Sequence, residues 1–517
     1  MHIFRRSFVA AVLLGLFSVV AAAQDVRLTS RDGSIQIDGT LLSFDGEFYR
    51  VETIYGPLTL DGEGVLCDGP GCPNLDAFIA QVRLSGTRRM ADVLIPALIQ
   101  AFASRNGYKI TREVADDSFS TFVLRDAERE RARFSLRAGT TAEGFADLIA
   151  EEADIALVLR EPRPSEVQMA RDAAAGDLLS GRRARVVALD GIVAIAAPSQ
   201  PVARVSLEQM AAAVTGTAAR WSDIGGPDIQ ILRHLPHPDT GLAEAFQDRV
   251  LRPNRLTTEA EGATFHTSLE TLADRVAADT FAFGLTTLSE IGNARPLRVS
   301  GTCGFETNAT LAALRAEDYP LTLPLMLYTP ARRLPRIARD FMEFTQDPAA
   351  DLVIRRAGFV DQAITTTRFD DQGDRLAHAI SQAGPEVSLS ELQRMVETLR
   401  DRDRLSTTFR FTSGTRLDVQ SQENIRRLAR ALEVGAFKDR ALILVGFSDS
   451  EGPAGPNLSL SRKRADTVLA QLRDAAPDAD FSRVSLATEA FGEALPMACD
   501  DTDWGRAINR RVEVWVK

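Results

Sequence analysis

The pattern of apolar and polar positions changes three times along the chain, and each texture predicts a different kind of structure. Between residues 24 and 75, alternating runs such as Ser34-Ile35-Gln36-Ile37 and Phe48-Tyr49-Arg50-Val51 are separated by Asp-Gly pairs at 32, 38, 45, 61 and 68. Period-two alternation marks half-buried strands, and Asp-Gly tolerates the positive φ of tight turns, so this stretch reads as a small β meander. From 76 to 370, amphipathic stretches at 93–102 and 207–214 alternate with apolar runs at 186–189 and 192–197. That alternation predicts α/β layers around a largely buried sheet. Residues 371–402 are polar and helix-prone, are interrupted by Gly384-Pro385, and read as a helical linker. Residues 403–517 read as a compact βαβ-type unit, with 441–447 as a buried strand and Ala465, Val468, Leu469 and Leu472 on one helix face.

Residues 1–23 stand apart. Arg5 and Arg6 precede an apolar stretch over 8–20, and Ala21-Ala22-Ala23 supplies small residues before Gln24. This is the order of a secretory signal, and the apolar run is shorter than a membrane span. Arg5-Arg6-Ser7-Phe8-Val9 also has a twin-arginine look, so the export route stays open. The expected location is the periplasm. A length of 517 residues fits three or four domains, and 45% hydrophobic with 25% charged residues is ordinary globular composition. With 60 Lys and Arg against 71 Asp and Glu, the net charge is −11. Such a surface is not built to grip nucleic acid.

Four cysteines exclude a disulfide-rich scaffold, and five scattered histidines argue against a histidine-rich metal site. Cys67 and Cys72 flank the flexible Asp68-Gly69-Pro70-Gly71, so a local disulfide is expected in an oxidising compartment. A zinc site there lacks two further ligands. Cys303 and Cys499 lie far apart in the chain, and their spacing does not decide whether they pair. No cofactor or metal is expected. Nucleophile-elbow, zincin and P-loop patterns do not occur, and Asp190 within Leu189-Asp190-Gly191-Ile192 reads as a strand-end turn residue, so an enzyme is not expected.

The C-terminal unit carries the clearest chemistry. A strand over 442–445 runs into Gly446-Phe447-Ser448-Asp449, a Gly/Pro loop follows through Pro456, and a helix is expected to open near Asn457 to Ser459 and carry Arg464. An acid at a strand end and a guanidinium on the next helix converge on one crevice. The pair suits a zwitterion, with Asp449 accepting from an ammonium and Arg464 forking onto a carboxylate; a plain surface ion pair is the alternative. The run 446–452, then 457–465, Phe491-Gly492-Glu493 and Gly505-Arg506 through Asn509-Arg510-Arg511-Val512-Glu513 resembles the peptidoglycan-binding domain of the OmpA family. The resemblance implies that Asp449 and Arg464 hold the diaminopimelate of a peptidoglycan stem, with Asn457, Arg506, Asn509 and Arg510 around them. Fold support is the alternative for Arg506, Asn509 and Arg510. Phe447 and Ser448 depart from the family's usual His and Thr.

In the middle unit, Ser85-Gly86-Thr87, Gly139-Thr140-Thr141 and Asp239-Thr240-Gly241 each join a small-residue turn to an expected helix start, where unpaired N–H groups favour an anion. Arg88, Arg89 and Arg160 add positive charge. Segments 188–195, 205–210, 214–216, 221–227, 319–325 and 357–360 are similar to the phosphate-binding proteins of ABC transporters. That resemblance implies a two-lobed, hinged, type II periplasmic-binding fold. The implied ligand is phosphate or a related small anion, and the implied partner is an ABC transporter. The binding motifs match less well than the frame: Pro236 stands where the family has an Arg, Asp239 adds negative charge, and Leu159 stands at the family's acidic position. An adaptor that has lost its ligand and contacts other envelope proteins is the alternative. The expected fold class is therefore α/β, with an N-terminal β meander, a two-lobed binding-protein fold and a C-terminal OmpA-like βαβ sandwich.

Overall fold

The computed structural model describes residues 25–256, 262–384 and 386–517. The signal-like segment 1–23 and Pro385 lie outside the described residues.

The N-terminal unit is one antiparallel sheet of five strands, Val26–Ser30, Gln36–Phe44, Phe48–Thr53, Gly56–Asp61 and Val65–Asp68, in the spatial order fourth, third, second, first, fifth. Its inward positions Val26, Leu28, Tyr49 and Val51 form a small core. Cys67 is bonded to Cys72 beside it, with Cα atoms 5.8 Å apart. One Asp-Gly pair is not a turn. Gly39 lies within the strand Gln36–Phe44, and a Cβ there would sit 2.3 Å from the Glu52 carbonyl oxygen on the neighbouring strand. Close backbone approach, not hairpin geometry, requires that glycine.

The middle domain is built on a continuous mixed sheet. From one edge its main strands are Ala263–His266, Leu232–Pro236, Ala282–Thr287, Ala184–Ala196, Thr322–Tyr328, Ile155–Val158, Ala80–Thr87, Arg129–Gly139, Phe119–Asp126 and Lys109–Asp116. The two apolar runs at 186–189 and 192–197 belong to one strand, Ala184–Ala196, whose first part pairs with Thr322–Tyr328 and whose second part pairs with Ala282–Thr287. Asp190 is therefore not a strand-end turn residue. It lies at the crossing between the two halves, buried, accepting from the Gly191 and Ser289 amides and from the Ser289 hydroxyl. Burial pushes its carboxyl pKa up, against those hydrogen bonds. Helices Ile95–Arg105, Thr141–Ile149 and Pro164–Asp172 serve one half, and Leu207–Thr215, Gly241–Phe246 and Leu269–Ala278 serve the other.

The C-terminal sheet runs Thr366–Arg368, Asp403–Ser413, Arg511–Val516, Ala441–Phe447 and Ser485–Gly492. Leu442, Leu444, Val512, Val514 and Val516 face helices Val419–Glu433 and Ala454–Ala475. Ile443, Val445, Phe447 and Trp515 face the other way, against Ala379, Met395 and Leu399. Those last three belong to helices Gly373–Gln382 and Leu389–Leu399, which fall within the stretch read as a linker. The stretch is instead the second covering layer of this sheet, which is why its central strands are apolar on both faces. A buried carboxylate ties the layer down: Glu513 accepts from Arg511 at 2.7 Å and pairs with Arg375 of the first covering helix, with Arg404 at 3.4 Å. The three guanidinium groups hold its carboxyl well below the usual range despite burial.

The middle and C-terminal domains are packed together. Arg404 forks onto Asp318, Arg430 donates to the Gln346 carbonyl at 2.6 Å, and Arg427 stands 3.4 Å from Asp351. Gln420 bonds Gln362 at 2.8 Å, and Arg426 reaches the carbonyls of Gly181 and Ala184. A disulfide joins Cys303 to Cys499 across the same junction.

Candidate functional site

In the C-terminal domain, the strand Ala441–Phe447 delivers Ser448 and Asp449 to its end, and the following helix returns Arg464 above them. That helix opens at Ala454 rather than near Asn457, with Pro453 as its cap residue. Asn457 reaches back from the first turn and donates to the carbonyls of Asp449 and Glu451, both at 3.2 Å, which fixes the loop that carries the acid. Asp449 is buried and accepts from Arg510 at 2.5 Å. Arg464 is also buried, with its Nε donating to the Gly414 carbonyl at 3.0 Å and its guanidinium over the Phe411 ring. Burial and the nearby positive charge of Arg510 lower its pKa, while Asp449 opposes both.

Two polar atoms in this cluster are buried without a hydrogen-bond partner, Nη1 of Arg464 and the hydroxyl of Ser448. Buried donors left unpaired are costly. The other predicted members support the loops. Asn509 is fully buried and uses its amide on Met497, Ala498 and Asp500. Arg506 holds the Asp500 carbonyl at 2.8 Å, and the Asp500 carboxylate accepts from the Ser450 amide. Phe447 points into the core, beneath the Arg511 guanidinium.

The middle domain has a cleft of about 360 Å³ between its halves. Of the predicted set, Thr87, Arg88, Gly139, Thr240 and Gly241 line it; Ser85, Thr140, Thr141 and Arg160 do not. Ser85 gives its hydroxyl to Asp147, and Thr140 caps its helix through Glu143. Thr141 gives its amide to Glu244 at 3.0 Å, and its hydroxyl accepts from the Leu159 amide. Arg160 forks onto Glu166 at 2.7 and 2.8 Å and lies 3.2 Å from Asp248. Thr240 caps the helix Gly241–Phe246, and Gly241 sits so close to Thr87 that a Cβ there would be 2.5 Å from the Thr87 methyl.

The cleft lining carries two arginines, Arg88 and Arg89, against five carboxylates, Asp92, Asp190, Asp239, Glu270 and Glu290. Arg89 pairs with Glu290 and lies over Phe359, and Arg88 donates to the Asp117 carbonyl at 2.7 Å. Both cations are engaged. The engaged carboxylate Glu244 stands three residues after the predicted Gly241, but nothing in its spacing shows that it reaches across to another helix.

Residues 76–348 match the family model described as the PBP superfamily domain, and the chain belongs to that superfamily. Residues 408–510 match the OmpA family, so the chain joins a binding-protein domain to a C-terminal OmpA domain. Over 84 residues it is 37% identical to probable lipoprotein YiaD of Escherichia coli K12, covering 16% of this chain and 36% of that protein. Over 105 residues it is 35% identical to peptidoglycan-binding protein ArfA of Mycobacterium tuberculosis, covering 20% of this chain and 30% of that one. The chain thus spans well under half the length of these relatives. An ABC-type phosphate transport receptor from Vibrio cholerae aligns at 16% identity over 54% of this chain and 99% of its own, with a TM-score of 0.42.

Proposed function

We propose that this protein is a non-catalytic component of the cell envelope, exported by segment 1–23 and held at peptidoglycan by its OmpA domain. The observation that carries the reading is the buried cluster of Asp449, Arg510 and Arg464, with one arginine nitrogen and the Ser448 hydroxyl unpaired beside it. A carboxylate next to underused donors is complementary to an amino-acid zwitterion such as the free end of diaminopimelate: the ammonium meets Asp449 and the carboxylate meets Arg464. The likeness to peptidoglycan-binding ArfA supports the same ligand. For the middle domain, the engaged arginines and acidic cleft lining favour an adaptor or a receptor for another ligand over a receptor for free phosphate. Its partners are then other envelope proteins.

The test is co-sedimentation of the full chain with purified sacculi. Asp449→Ala and Arg464→Ala each remove a charge-assisted contact of about 1.5–3 kcal/mol, so binding weakens about 10- to 100-fold. If both variants, folded by circular dichroism, sediment as the wild type does, the assignment of this pocket is wrong.

A further inference from the structure

The first backbone amides of one helix in the middle domain are already met by a carboxylate of the same protein. Helix Thr141–Ile149 presents its first backbone amides at the edge of one half of the cleft domain. The Glu244 carboxylate, from the short helix Gly241–Phe246 of the other half, accepts from Thr141 N at 3.0 Å and Ala142 N at 3.4 Å. Arg160 lies 3.8 Å from the same carboxylate, and Arg163 lies 4.0 Å from it. One turn further along, Asp248 extends the contact to Arg163 at 2.9 Å and to Arg160 at 3.2 Å. A helix N-terminus with buried guanidinium support is how proteins hold phosphate or carboxylate ligands.

Two further observations place this contact beside the cleft, next to its lining residues Thr87 and Gly241. Gly241, three residues before Glu244, is pressed against Thr87, and only a glycine permits that approach. Thr87 itself is 2% exposed, lines the cleft, and has a hydroxyl with no hydrogen-bond partner. The charge balance argues in the same direction. Arg160 and Arg163 are already outnumbered by Glu166, Glu244 and Asp248, so a phosphate dianion added here meets net negative charge.

We propose that Glu244 is a tethered ligand, whose carboxylate occupies the anion subsite at the start of helix Thr141–Ile149, latches the two halves together and excludes free phosphate. The inference rests on reading the middle domain as a binding-protein cleft without free phosphate, and it names the residue that sets that specificity. Opening the cleft then requires displacement of Glu244 by a competing anion, whether inorganic phosphate or the carboxylate of another molecule.

The experiment is calorimetric titration of the full, oxidised chain with inorganic phosphate, and separately with acetate, after unfolding and refolding to strip carried ligand. The wild type shows no saturable phosphate binding. Glu244→Ala vacates two amides and removes the net negative charge, leaving Arg160 and Arg163 balanced by Glu166 and Asp248, so it binds phosphate at least about 100-fold more tightly than the wild type. Adding Arg160→Met to Glu244→Ala abolishes the gain. Glu244→Gln serves as the second variant, keeping the volume, removing the charge and giving a smaller gain; it stands in if the alanine variant melts early. A wild type that binds phosphate at micromolar affinity overturns the adaptor reading, and a Glu244 variant that then binds no better overturns the tethered ligand as well. If neither the wild type nor either folded Glu244 variant binds phosphate or acetate, the contact is purely structural and the proposal fails, while the adaptor reading stands.

Discussion

Replacing Cys303 and Cys499 with serine lowers the stability of the oxidised chain by about 4–5 kcal/mol. The bond closes a loop across a sequence separation of 196, and the chain-entropy cost of an open loop grows slowly but steadily with its length. The location adds to the effect. Cys303 lies in the turn between Arg298–Ser300 and Glu306–Thr307, two strands of the small sheet they form with Arg204–Val205 on the second half of the cleft domain, and Cys499 belongs to the loop pinned by Asn509 in the OmpA domain. Arg427 and Arg430 meanwhile hold Asp351 and Gln346, on the segment that follows the first half's strand Thr322–Tyr328. The OmpA domain therefore holds both halves, and cutting the disulfide removes the covalent link to the second, leaving the packing of Phe305 against Met497, Ala498 and Ile508. The expected result is a lower unfolding midpoint for the double serine variant, matched by wild type in reductant, together with new proteolytic cleavage around 301–307. Equal midpoints with and without reductant would show that the ion pairs alone hold the junction.

Much of the frame is legible in the sequence, and the reasons for the failures are physical. Alternation and Asp-Gly turns reveal the N-terminal sheet because each strand is wet on one side. The strand-loop-helix unit that carries Asp449 and Arg464 is legible because its pattern is local. Helices Gly373–Gln382 and Leu389–Leu399 are read as helical, but their packing on the sheet escapes because they bury only narrow stripes, Ala379 on one and Met395 with Leu399 on the other, and look polar elsewhere. The anion site fails differently. Small-residue turns predict where helices begin, as at Thr141 and Gly241, but not what their amides meet. Glu244 is separated by about a hundred residues from the amides it caps, a distance no local pattern spans. The arginine clamp on helix Val419–Glu433 has the same character: Arg426, Arg427 and Arg430 meet partners that lie in another domain.

The second large effect is a loss of stability with rising pH, traced to Glu317. This residue follows the helix Leu311–Arg315 with a backbone φ of 56°, a left-handed conformation that is uncommon for a side-chain-bearing residue. It is held there by the domain junction, where its carbonyl accepts from Arg410. The side chain lines a cavity of about 170 Å³ between the domains, shared with Glu161, Asp418, Arg249 and Arg410. Burial pushes the Glu317 carboxyl up to about 8, the negative charge of Asp418 adds to that, and Arg410 and Arg249 pull it down. Burial raises Asp418 and Glu161 as well. A folded pKa above the unfolded value of 4.5 means that the folded state binds the extra proton. The contribution is complete below pH 4.5 and is lost as pH rises through 8, an upper limit of about 3–5 kcal/mol for this group. Glu317→Gln keeps the shape and cannot ionise. It is expected to match the wild type at pH 4.5 and to be more stable by about 3 kcal/mol at pH 8.5, as read from denaturant midpoints across that range. A variant that tracks the wild type throughout would place the pH dependence on Asp418 or Glu161 instead. Because the group sits at the junction and in neither core, its ionisation loosens the domains from each other first. Rising pH would thereby change how firmly the OmpA domain grips the cleft domain.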